Sequence, residues 1–345
     1  MKDILIPFFF LISVVAYGQS NESQKIDQSQ IRYVNINYNA EIEIAKQLIL
    51  DSMQVKNIPG LSIAIAKKNE IIWLQGFGYA DLENKVPVKI NTKFRIGSIS
   101  KTLTAMAVGK LLDSKQLKLS DDLYKYVNYF PKKNYEITIA EIASHTSGIR
   151  DYDYDKNEYL NFKNYSSIQE SVAVFQNDPL LFEPGTNYKY ATYNYTLLSA
   201  VIENASSQNF IDYMQENVLK PLQLFNTTPD YVYNIIDNRA RFYDKYQGIV
   251  INSPAVDNSN KWAGGGYLST PMDLMKMCQS LLRNDFINAD TKKIVWTPAT
   301  LKTGVITNYG IGWRIEKDEK NRLFVHHGGS AVGGRSYLLM SLMMG

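Results

Sequence analysis

The chain has 345 residues, enough for one large domain or for two lobes that share an interface. It carries 37 Lys and Arg against 34 Asp and Glu, and this near balance excludes the strongly charged surface that nucleic-acid binding requires. Its single cysteine, Cys278, excludes a disulfide framework within the chain, and its place in an amphipathic stretch indicates a small core residue.

The N-terminus has the pattern of a secretory signal. Lys2 precedes an apolar run, and small residues up to Gly18 are typical of a cleavage site. A membrane-spanning helix needs about 20 apolar residues, whereas this run is shorter and is interrupted by Pro7. We therefore predict a signal peptide over residues 1–18, a flexible polar segment over 19–39, and a periplasmic or secreted mature chain without a membrane span.

The predicted elements of the remaining chain begin at residue 40. Apolar residues at helical spacing predict a helix over 40–56, and alternation of apolar and polar residues predicts a β-hairpin over 61–81. Another helix of about 16 residues is predicted within 94–112, and mainly helical patterns continue to about residue 285. Strand patterns return at 309–316, 322–329 and 335–344.

Strands at both ends of the chain around a helical middle predict an α+β fold. In this fold the two chain termini form one antiparallel sheet with flanking helices. A mostly helical lobe, about residues 105–285, is inserted into a single domain that spans residues 40–345. We expect the functional site in the cleft between the two lobes.

The segment FRIGSISKTLTA contains a serine and a lysine three residues apart on a predicted helix. Ser98 and Lys101 would lie on the same face, because residues i and i+3 are neighbours. A serine hydroxyl needs a base within hydrogen-bonding distance, and a buried lysine that loses its proton can serve as that base. Such spacing also arises by chance, and Ser98 could equally be the N-cap of the helix. Ser100 is excluded as the nucleophile because it adjoins Lys101 in sequence and does not face it across a turn.

Two later segments complete a pattern with Ser98 and Lys101. Tyr190 precedes a helical stretch in EPGTNYKYATYNYTLL, and His327, Gly328 and Gly329 end a predicted strand in VHHGG. Serine, lysine, tyrosine and a basic residue followed by glycine, in this order, resemble the serine beta-lactamase and penicillin-binding-protein superfamily. From about residue 58 to residue 339 the chain is similar to its class C beta-lactamase-like hydrolases and D-alanyl-D-alanine peptidases. The segments SISK, NRARFY and VDNSNKWAGGGYLST further resemble its branch of mitochondrial serine beta-lactamase-like proteins.

The resemblance implies a role for each residue of the pattern. Ser98 would attack a carbonyl carbon and hold the acyl group as an ester, and Lys101 would assist its deprotonation. Tyr190, made more acidic by an adjacent cation, would relay the proton to the leaving group and activate water. His327 would hydrogen-bond Tyr190 or the substrate, with a charge that changes between about pH 5 and 8. The backbone N–H groups of Ser98 and Ser330 would hold the oxyanion.

One departure from the family pattern affects substrate binding. Relatives often have Tyr-Ser-Asn where this chain has Tyr190-Ala191-Thr192, so the amide's donor and acceptor pair is replaced by one hydroxyl. A neutral hydrogen bond contributes only about 1 kcal/mol, so we expect altered substrate choice and not loss of activity. The residues expected to contact the substrate are Thr192, Gly328 and Gly329.

The end of the chain also departs from the family. Relatives usually continue beyond the last predicted strand with another strand and a C-terminal helix that covers the sheet. Here the sequence stops at Gly345, which we interpret as a truncated sequence that lacks these two elements.

Other chemistries fit the sequence poorly. The run DYDYDKNEY from Asp151 has the alternating aspartates of a calcium loop, but Lys156 and Phe162 stand where such loops need glycine and glutamate. Three histidines without an HExxH motif argue against a zinc hydrolase, and His145 is expected to order a turn. GFGYAD lacks the third glycine of a dinucleotide loop, and no Gly-x-Ser-x-Gly elbow is present. We expect no metal and no cofactor.

These observations predict an exported serine hydrolase that cleaves amide or ester bonds through an acyl-serine intermediate. Peptides are the preferred substrate class, with D-alanyl-D-alanine carboxypeptidase, beta-lactamase and esterase activities as alternatives. A catalytically weak binding or self-assembling protein on the same fold is the alternative from another class. The expected partner is a peptide or small-molecule substrate and not nucleic acid, and the sequence leaves the oligomeric state open.

Overall fold

The computed structural model describes residues 31–67 and 69–342, with side chains from Val34 onward. Helices combine with short antiparallel sheets, which confirms the predicted α+β class. The strands are β1 (Ile31–Val34), β2 (Gly60–Lys67), β3 (Glu70–Asp81), β4 (Val86–Pro87), β5 (Phe94–Arg95), β6 (Thr228–Pro229), β7 (Tyr243–Tyr246), β8 (Ile249–Asn252), β9 (Tyr267–Ser269), β10 (Arg314–Lys317), β11 (Leu323–Ala331) and β12 (Gly334–Ser341).

Most helices lie between β5 and β10, in agreement with the predicted helical middle of the chain. Two short 3-10 turns, Gly97–Ile99 and Ser259–Lys261, lead into helices that border the site. The helices are α1 (Asn39–Val55), α2 (Ser100–Asp113), α3 (Ile139–Ala143), α4 (Ile168–Val172), α5 (Tyr193–Ser206), α6 (Phe210–Met214), α7 (Trp262–Gly265), α8 (Pro271–Arg283) and α9 (Ala289–Val295).

The strands from the two ends of the chain form two separate ladders. β1, β3 and β2 pair antiparallel in that order with β4 beside β3, while β10, β11 and β12 form a second antiparallel ladder. Within the described residues no strand of one ladder pairs with a strand of the other, so the prediction of one continuous sheet is wrong. Periodicity predicts where strands lie and which face they bury, but every strand edge offers the same N–H and C=O groups, so pairing partners stay undetermined.

The N-terminal predictions fall only partly within the described residues. Residues 31–34 form β1, whose Tyr33 pairs with Leu74 of β3, and a 3-10 turn then leads into α1. Residues 31–34 of the predicted flexible segment over 19–39 thus pair with the edge of β3. The predicted signal peptide, residues 1–18, lies outside the described residues.

Helix α2 occupies the centre of the helical lobe. All residues from Ser100 to Gly109 are buried, and α5, α7 and α9 pack around them. A helix covered on every side has to be small or apolar on every side, which the run LTAMAVG satisfies. Leu103 and Leu111 are both fully buried. Burying a leucine side chain contributes about 1.5–3 kcal/mol, so α2 is a firm platform for the residues at its start.

Across residues 31–67 and 69–342, the structure has no helix that combines the length and the apolar character needed to cross a membrane.

Candidate active site

Ser98 and Lys101 meet at the start of α2. Ser98 lies on the 3-10 turn Gly97–Ile99, and Lys101 is in the first turn of the helix. The Lys101 ammonium nitrogen lies 3.2 Å from the Ser98 hydroxyl oxygen. The alternative interpretation of Ser98 as the N-cap is wrong, since Ile99 occupies that position and no side chain caps the helix. Ser100 is fully buried, and its hydroxyl oxygen accepts a hydrogen bond from the Tyr267 N–H group.

Lys101 is fully buried, and its surroundings favour the neutral amine. Burial lowers its pKa from 10.5 to about 7; the Asp151 carboxylate opposes this shift and the Arg314 guanidinium adds to it. Its nitrogen donates a hydrogen bond to the Gly264 carbonyl oxygen at 2.6 Å, which fixes the amine beside Ser98. A neutral amine held in this position can accept the serine proton through its lone pair.

Tyr190 covers the Lys101 amine but is not acidified. The Lys101 nitrogen lies 4.8 Å from the centre of the Tyr190 ring, and the Arg314 guanidinium carbon lies 5.7 Å from it. Burial raises the pKa of the Tyr190 hydroxyl above its usual range, and this outweighs the opposing effect of the Ser98 contact. The expectation of a more acidic phenol is therefore wrong, because the desolvation of a buried phenolate exceeds the attraction of nearby charge.

His327 lies near Tyr190, yet it hydrogen-bonds other groups. Its Nδ1 donates to the Gly328 carbonyl oxygen at 2.7 Å, and its Nε2 hydrogen-bonds the Tyr309 hydroxyl at 2.9 Å. Burial, together with the positive charge of Lys101, lowers the pKa of His327 to about 3. The expectation that His327 changes charge between about pH 5 and 8 is therefore wrong. The sequence could not indicate this, because the burial and both partners arise from tertiary packing.

The turn of Ser98 packs directly against β11. Gly97 has a φ of +48°, and a Cβ added there would lie 2.7 Å from the backbone nitrogen of Ser330. Ala331 and Gly334 flank the two-residue turn that joins β11 to β12, so they form a hydrogen-bonded pair. Pairs alternate along an antiparallel ladder, and the N–H of Ser330 therefore points away from β12 towards the Gly97 turn. The backbone of Ser98 and the free N–H of Ser330 thus border the same space.

A small cleft that opens to solvent lies beside the serine. Ser98, Thr192 and Ser330 line it, whereas Tyr190 and His327 are not among its lining residues. Gly264 approaches Thr192 closely, since a Cβ on the glycine would lie 2.6 Å from the threonine methyl carbon.

The two glycines after His327 have different surroundings. A Cβ added at Gly329 would overlap the Ile96 carbonyl oxygen and the Ser336 hydroxyl, so this position has room only for glycine. Gly328 is open by comparison, with the Tyr337 ring at 3.7 Å. Gly329 thus allows β11 to approach the serine turn, a packing role that precedes any contact with substrate.

Sequence analysis missed the involvement of His145 in this site. His145 orders a left-handed turn after α3, with a φ of +61°, and its buried ring lies 4.3 Å from the Tyr190 ring. Its Nδ1 accepts a hydrogen bond from the N–H of Ala191, 46 residues further along the chain. Burial and the positive charge of Lys101 lower its pKa well below the usual value, so the ring is neutral. No spacing in the sequence links residues so far apart.

Asp151 and Arg314 are the charged groups that sequence analysis missed. The Asp151 carboxylate accepts a hydrogen bond from the Thr192 N–H at 2.8 Å, and it opposes the pKa decrease of Lys101. Arg314 comes from β10, and its guanidinium lies 5.7 Å from the centre of the Tyr309 ring. The run DYDYD did single out Asp151, but its spacing was compared only with calcium loops.

Comparisons with known proteins agree with this geometry. A family model described as Beta-lactamase matches residues 45–342. The chain is 31% identical to the serine beta-lactamase-like protein LACTB, mitochondrial, of Homo sapiens, over 87% of this chain and 72% of that protein. A penicillin-binding protein of Bacillus subtilis (strain 168) is 28% identical over 82% of this chain and 66% of its own length.

Solved structures support the same fold. The octameric penicillin-binding protein homologue from Pyrococcus abyssi superposes with a TM-score of 0.76 at 24% identity, covering 87% of this chain and 71% of that one. FmtA from Staphylococcus aureus gives a TM-score of 0.77 at 18% identity, covering 92% and 84% of the two chains. Because the family model spans most of the chain and the LACTB relative exceeds 30% identity, the chain belongs to the beta-lactamase family of serine beta-lactamase-like and penicillin-binding-protein-like hydrolases.

Proposed function

We propose that the chain is a serine hydrolase that forms an acyl ester on Ser98 and cleaves amide or ester bonds, with peptides as the preferred substrates. One observation carries this proposal: the Lys101 nitrogen is 3.2 Å from the Ser98 hydroxyl oxygen, within reach of its proton. Burial lowers the pKa of that amine to about 7, so much of it is unprotonated at neutral pH. The family match makes hydrolysis the expected chemistry of such a pair.

In the proposed acylation step the Ser98 oxygen attacks the carbonyl carbon while its proton moves to the Lys101 amine. The new C–O bond places negative charge on the carbonyl oxygen, which accepts hydrogen bonds from the N–H groups of Ser98 and Ser330. Each such donor lowers the barrier by about 3 kcal/mol. The Gly264 carbonyl oxygen holds the resulting ammonium at 2.6 Å, so the proton is retained close to the reacting atoms.

In the next step the bond to the leaving group breaks and the leaving nitrogen or oxygen takes up the proton. Tyr190 relays this proton as a neutral phenol, accepting from the Lys101 ammonium and donating to the leaving group, because burial disfavours its phenolate. Water then attacks the ester carbonyl with Lys101 again as the base, and Ser98 regains its proton.

Peptides are the preferred class because the cleft borders a free strand edge. The pairing of β10 with β11 ends at Arg314 and His326. Beyond that point the backbone of Ser330 on this edge borders the Gly97 turn and the cleft, and pairs with no strand on that side among the described residues. An extended peptide could add to such an edge through backbone hydrogen bonds while its carbonyl reaches Ser98. D-alanyl peptides, beta-lactams and small esters are the alternative substrates.

We also propose that the chain is exported, since residues 1–18 have the pattern of a signal peptide. N-terminal sequencing of the protein recovered from a periplasmic or culture-medium fraction of an expressing bacterium would detect a start near Gln19. A protein that retains Met1 and stays in the cytoplasmic fraction would contradict export.

The deciding experiment locates the adduct of a serine-directed reagent. A neutral fluorophosphonate, and separately a labelled penicillin, would be incubated with the protein, and the modified peptide would be identified by mass spectrometry. We expect the fluorophosphonate adduct on Ser98, its loss in Ser98→Ala, and its retention in the matched control Ser100→Ala. An adduct that persists in Ser98→Ala, or no adduct at all, would contradict the hydrolase and favour a catalytically weak binding protein.

A further inference from the structure

The cleft has a second end that the proposed chemistry does not use. The 3-10 turn Ser259–Lys261 brings Lys261 to the cleft that Ser98 also lines. Tyr152 and Tyr159 line the same end, and the Lys261 nitrogen lies 5.3 Å and 5.0 Å from the centres of their rings. A lysine beside two neighbouring tyrosine rings thus lines the same cleft as the serine.

Lys261 is buried without a counter-ion. It is 5% exposed, and its nitrogen donates one hydrogen bond, at 3.2 Å, to the Tyr159 carbonyl oxygen. In the part of the chain that the structure describes, no carboxylate is in ion-pair contact with it. An ammonium has three N–H donors, so donors remain available towards the cleft.

A neighbouring buried cation, Arg95, does have an ion-pair partner. Arg95 is 7% exposed, and its guanidinium forms an ion pair with Asp230 at 2.6 Å. Asp257 and Asp151 are the carboxylates whose charge raises the pKa of Lys261, and both have other partners. Asp257 accepts a hydrogen bond from the N–H of Ser259 at 2.8 Å, and Asp151 accepts one from the N–H of Thr192. A buried charge costs several kcal/mol unless it is paired, and Arg95 meets this requirement within the fold.

A purely structural role explains Lys261 poorly. One hydrogen bond to a carbonyl oxygen could be donated by a neutral side chain, and contact with two rings could be made by an apolar one. The fold instead keeps a cation at the wall of an open cleft, where a bound anion would complete its coordination. Hydrogen bonds between charged partners are about twice as strong as neutral ones.

We propose that Lys261 is a specificity-determining residue that binds a carboxylate of the substrate, with Tyr152 and Tyr159 forming the walls of this anion subsite. The inference rests on the proposed function, because Ser98 and the subsite lie in one cleft and would contact one substrate. The carboxylate can come from an acidic side chain of a peptide or from its free C-terminus, and both sources have the same chemistry.

Matched ligand pairs test the subsite without turnover. Binding would be measured by isothermal titration calorimetry in a Ser98→Ala background, so that no ligand is consumed. One pair is N-acetyl-Gly-Glu methylamide against its Gln analogue, and the other is N-acetyl-Ala-Ala with a free carboxylate against its C-terminal amide. We expect at least one carboxylate member to bind about tenfold to a hundredfold more tightly than its uncharged partner. Which pair shows the difference identifies the source of the carboxylate.

Two variants relate this preference to Lys261. In Lys261→Met the carboxylate ligand and its uncharged partner should bind with about equal affinity. Lys93→Met is the matched control and should retain the preference for the carboxylate. Lys93 is also buried, with 8% of its surface exposed, and it donates to the Asp237 carbonyl oxygen, but it does not line the cleft. The unfolding transition of each variant would be recorded to verify that it is folded. Equal binding of both members of both pairs in the protein that retains Lys261, or a preference that survives Lys261→Met, would overturn the inference.

Failure of this inference differs from failure of the proposed function. Fluorophosphonate labelling of Ser98 in the unmodified protein reports the nucleophile and does not require an anionic ligand. Labelling without any carboxylate preference would overturn the subsite alone. A carboxylate preference without labelling would support the subsite and contradict hydrolysis.

Discussion

The two ends of the cleft each contain a buried lysine, and they differ in what surrounds the amine. Burial lowers the pKa of both, to about 7 for Lys101 and about 8 for Lys261. Lys101 lies beside the Ser98 hydroxyl and is held by the Gly264 carbonyl oxygen. Lys261 lies beside the rings of Tyr152 and Tyr159 and donates to the Tyr159 carbonyl oxygen. We propose proton transfer at one end and anion binding at the other, so burial alone does not define a general base.

The largest expected effect comes from removing the amine at the serine end. Lys101→Met should slow fluorophosphonate labelling of Ser98 by a factor of about 10³, because a positioned general base contributes about 10²–10⁴ in rate. Lys110→Met, at the last turn of the same helix and beside Phe286, is the matched control and should label at the original rate. If Lys101→Met is labelled at the original rate, Lys101 is not the base for Ser98, and the proposed difference in role between the two lysines is wrong.

A second prediction concerns the contact between the serine turn and β11. Gly97→Ala should slow labelling by a factor of about 10²–10³, because its Cβ would displace the Ser330 backbone, and with it one oxyanion donor. Gly248→Ala is the matched control: its φ of +81° carries the same left-handed strain, but nothing lies within 4 Å of the added Cβ.

Gly248→Ala should lose about 1–2 kcal/mol of unfolding free energy through backbone strain, and Gly97→Ala should lose more because its Cβ also meets the Ser330 backbone. A urea titration would measure both losses. Only Gly97→Ala should lose labelling as well. If the two variants label equally fast, the contact with Ser330 is not part of the chemistry.

The pH dependence of labelling gives a third, smaller effect. The Lys101 amine acts as a base only when unprotonated, so the labelling rate should rise about tenfold per pH unit below pH 7 and level off above it. His327, whose pKa is about 3, is already neutral through this range and should not contribute. We therefore expect the same inflection in His327→Gln as in the unmodified protein, measured as the labelling rate constant between pH 5 and 9. An inflection that disappears in His327→Gln would assign the titration to the histidine.

The smallest effect is on stability, at the tyrosine end. Lys261→Met should raise the unfolding free energy at pH 7 by about 1–3 kcal/mol, because it removes an unpaired buried cation. The folded protein binds the Lys261 proton less tightly than the unfolded chain, so this cost is fully present below about pH 8 and disappears as the pH rises to 10.5. The stability difference between the two proteins, measured by urea denaturation, should therefore shrink between these pH values. A difference that is constant or grows with pH would contradict the buried cation.

Local sequence patterns predicted the first helix and the first β-hairpin correctly. The helix predicted over 40–56 is α1, Asn39–Val55, and the hairpin predicted over 61–81 is β2 and β3. These predictions succeed because helical and strand periodicities are set by the backbone and by which side chains meet the core. The spacing of Ser98 and Lys101 belongs to the same class, since an i, i+3 pair on a helix requires no long-range contact to meet.

Predictions that depended on distant partners fared less well. We expected His327 to hydrogen-bond Tyr190 or the substrate, but its two nitrogens hydrogen-bond Tyr309 and Gly328. His145 meets Ala191 across 46 residues, a contact that no local pattern contains. The sequence also predicted one sheet where the structure has two ladders. Every strand edge offers the same N–H and C=O groups, so the sequence of a strand does not specify which strand pairs with it.

The sequence by itself thus determined the fold class, the positions of the main helices and strands, and the Ser98–Lys101 pair, all of which depend on residue type and short spacing. The tertiary structure decided the charge states and the partners. The lowered pKa values of Lys101 and Lys261 exist only once other segments exclude water from them. Among the described residues no carboxylate forms an ion pair with Lys261. This feature and its place in the cleft of Ser98 likewise result from elements that are far apart in the chain and adjacent in the fold.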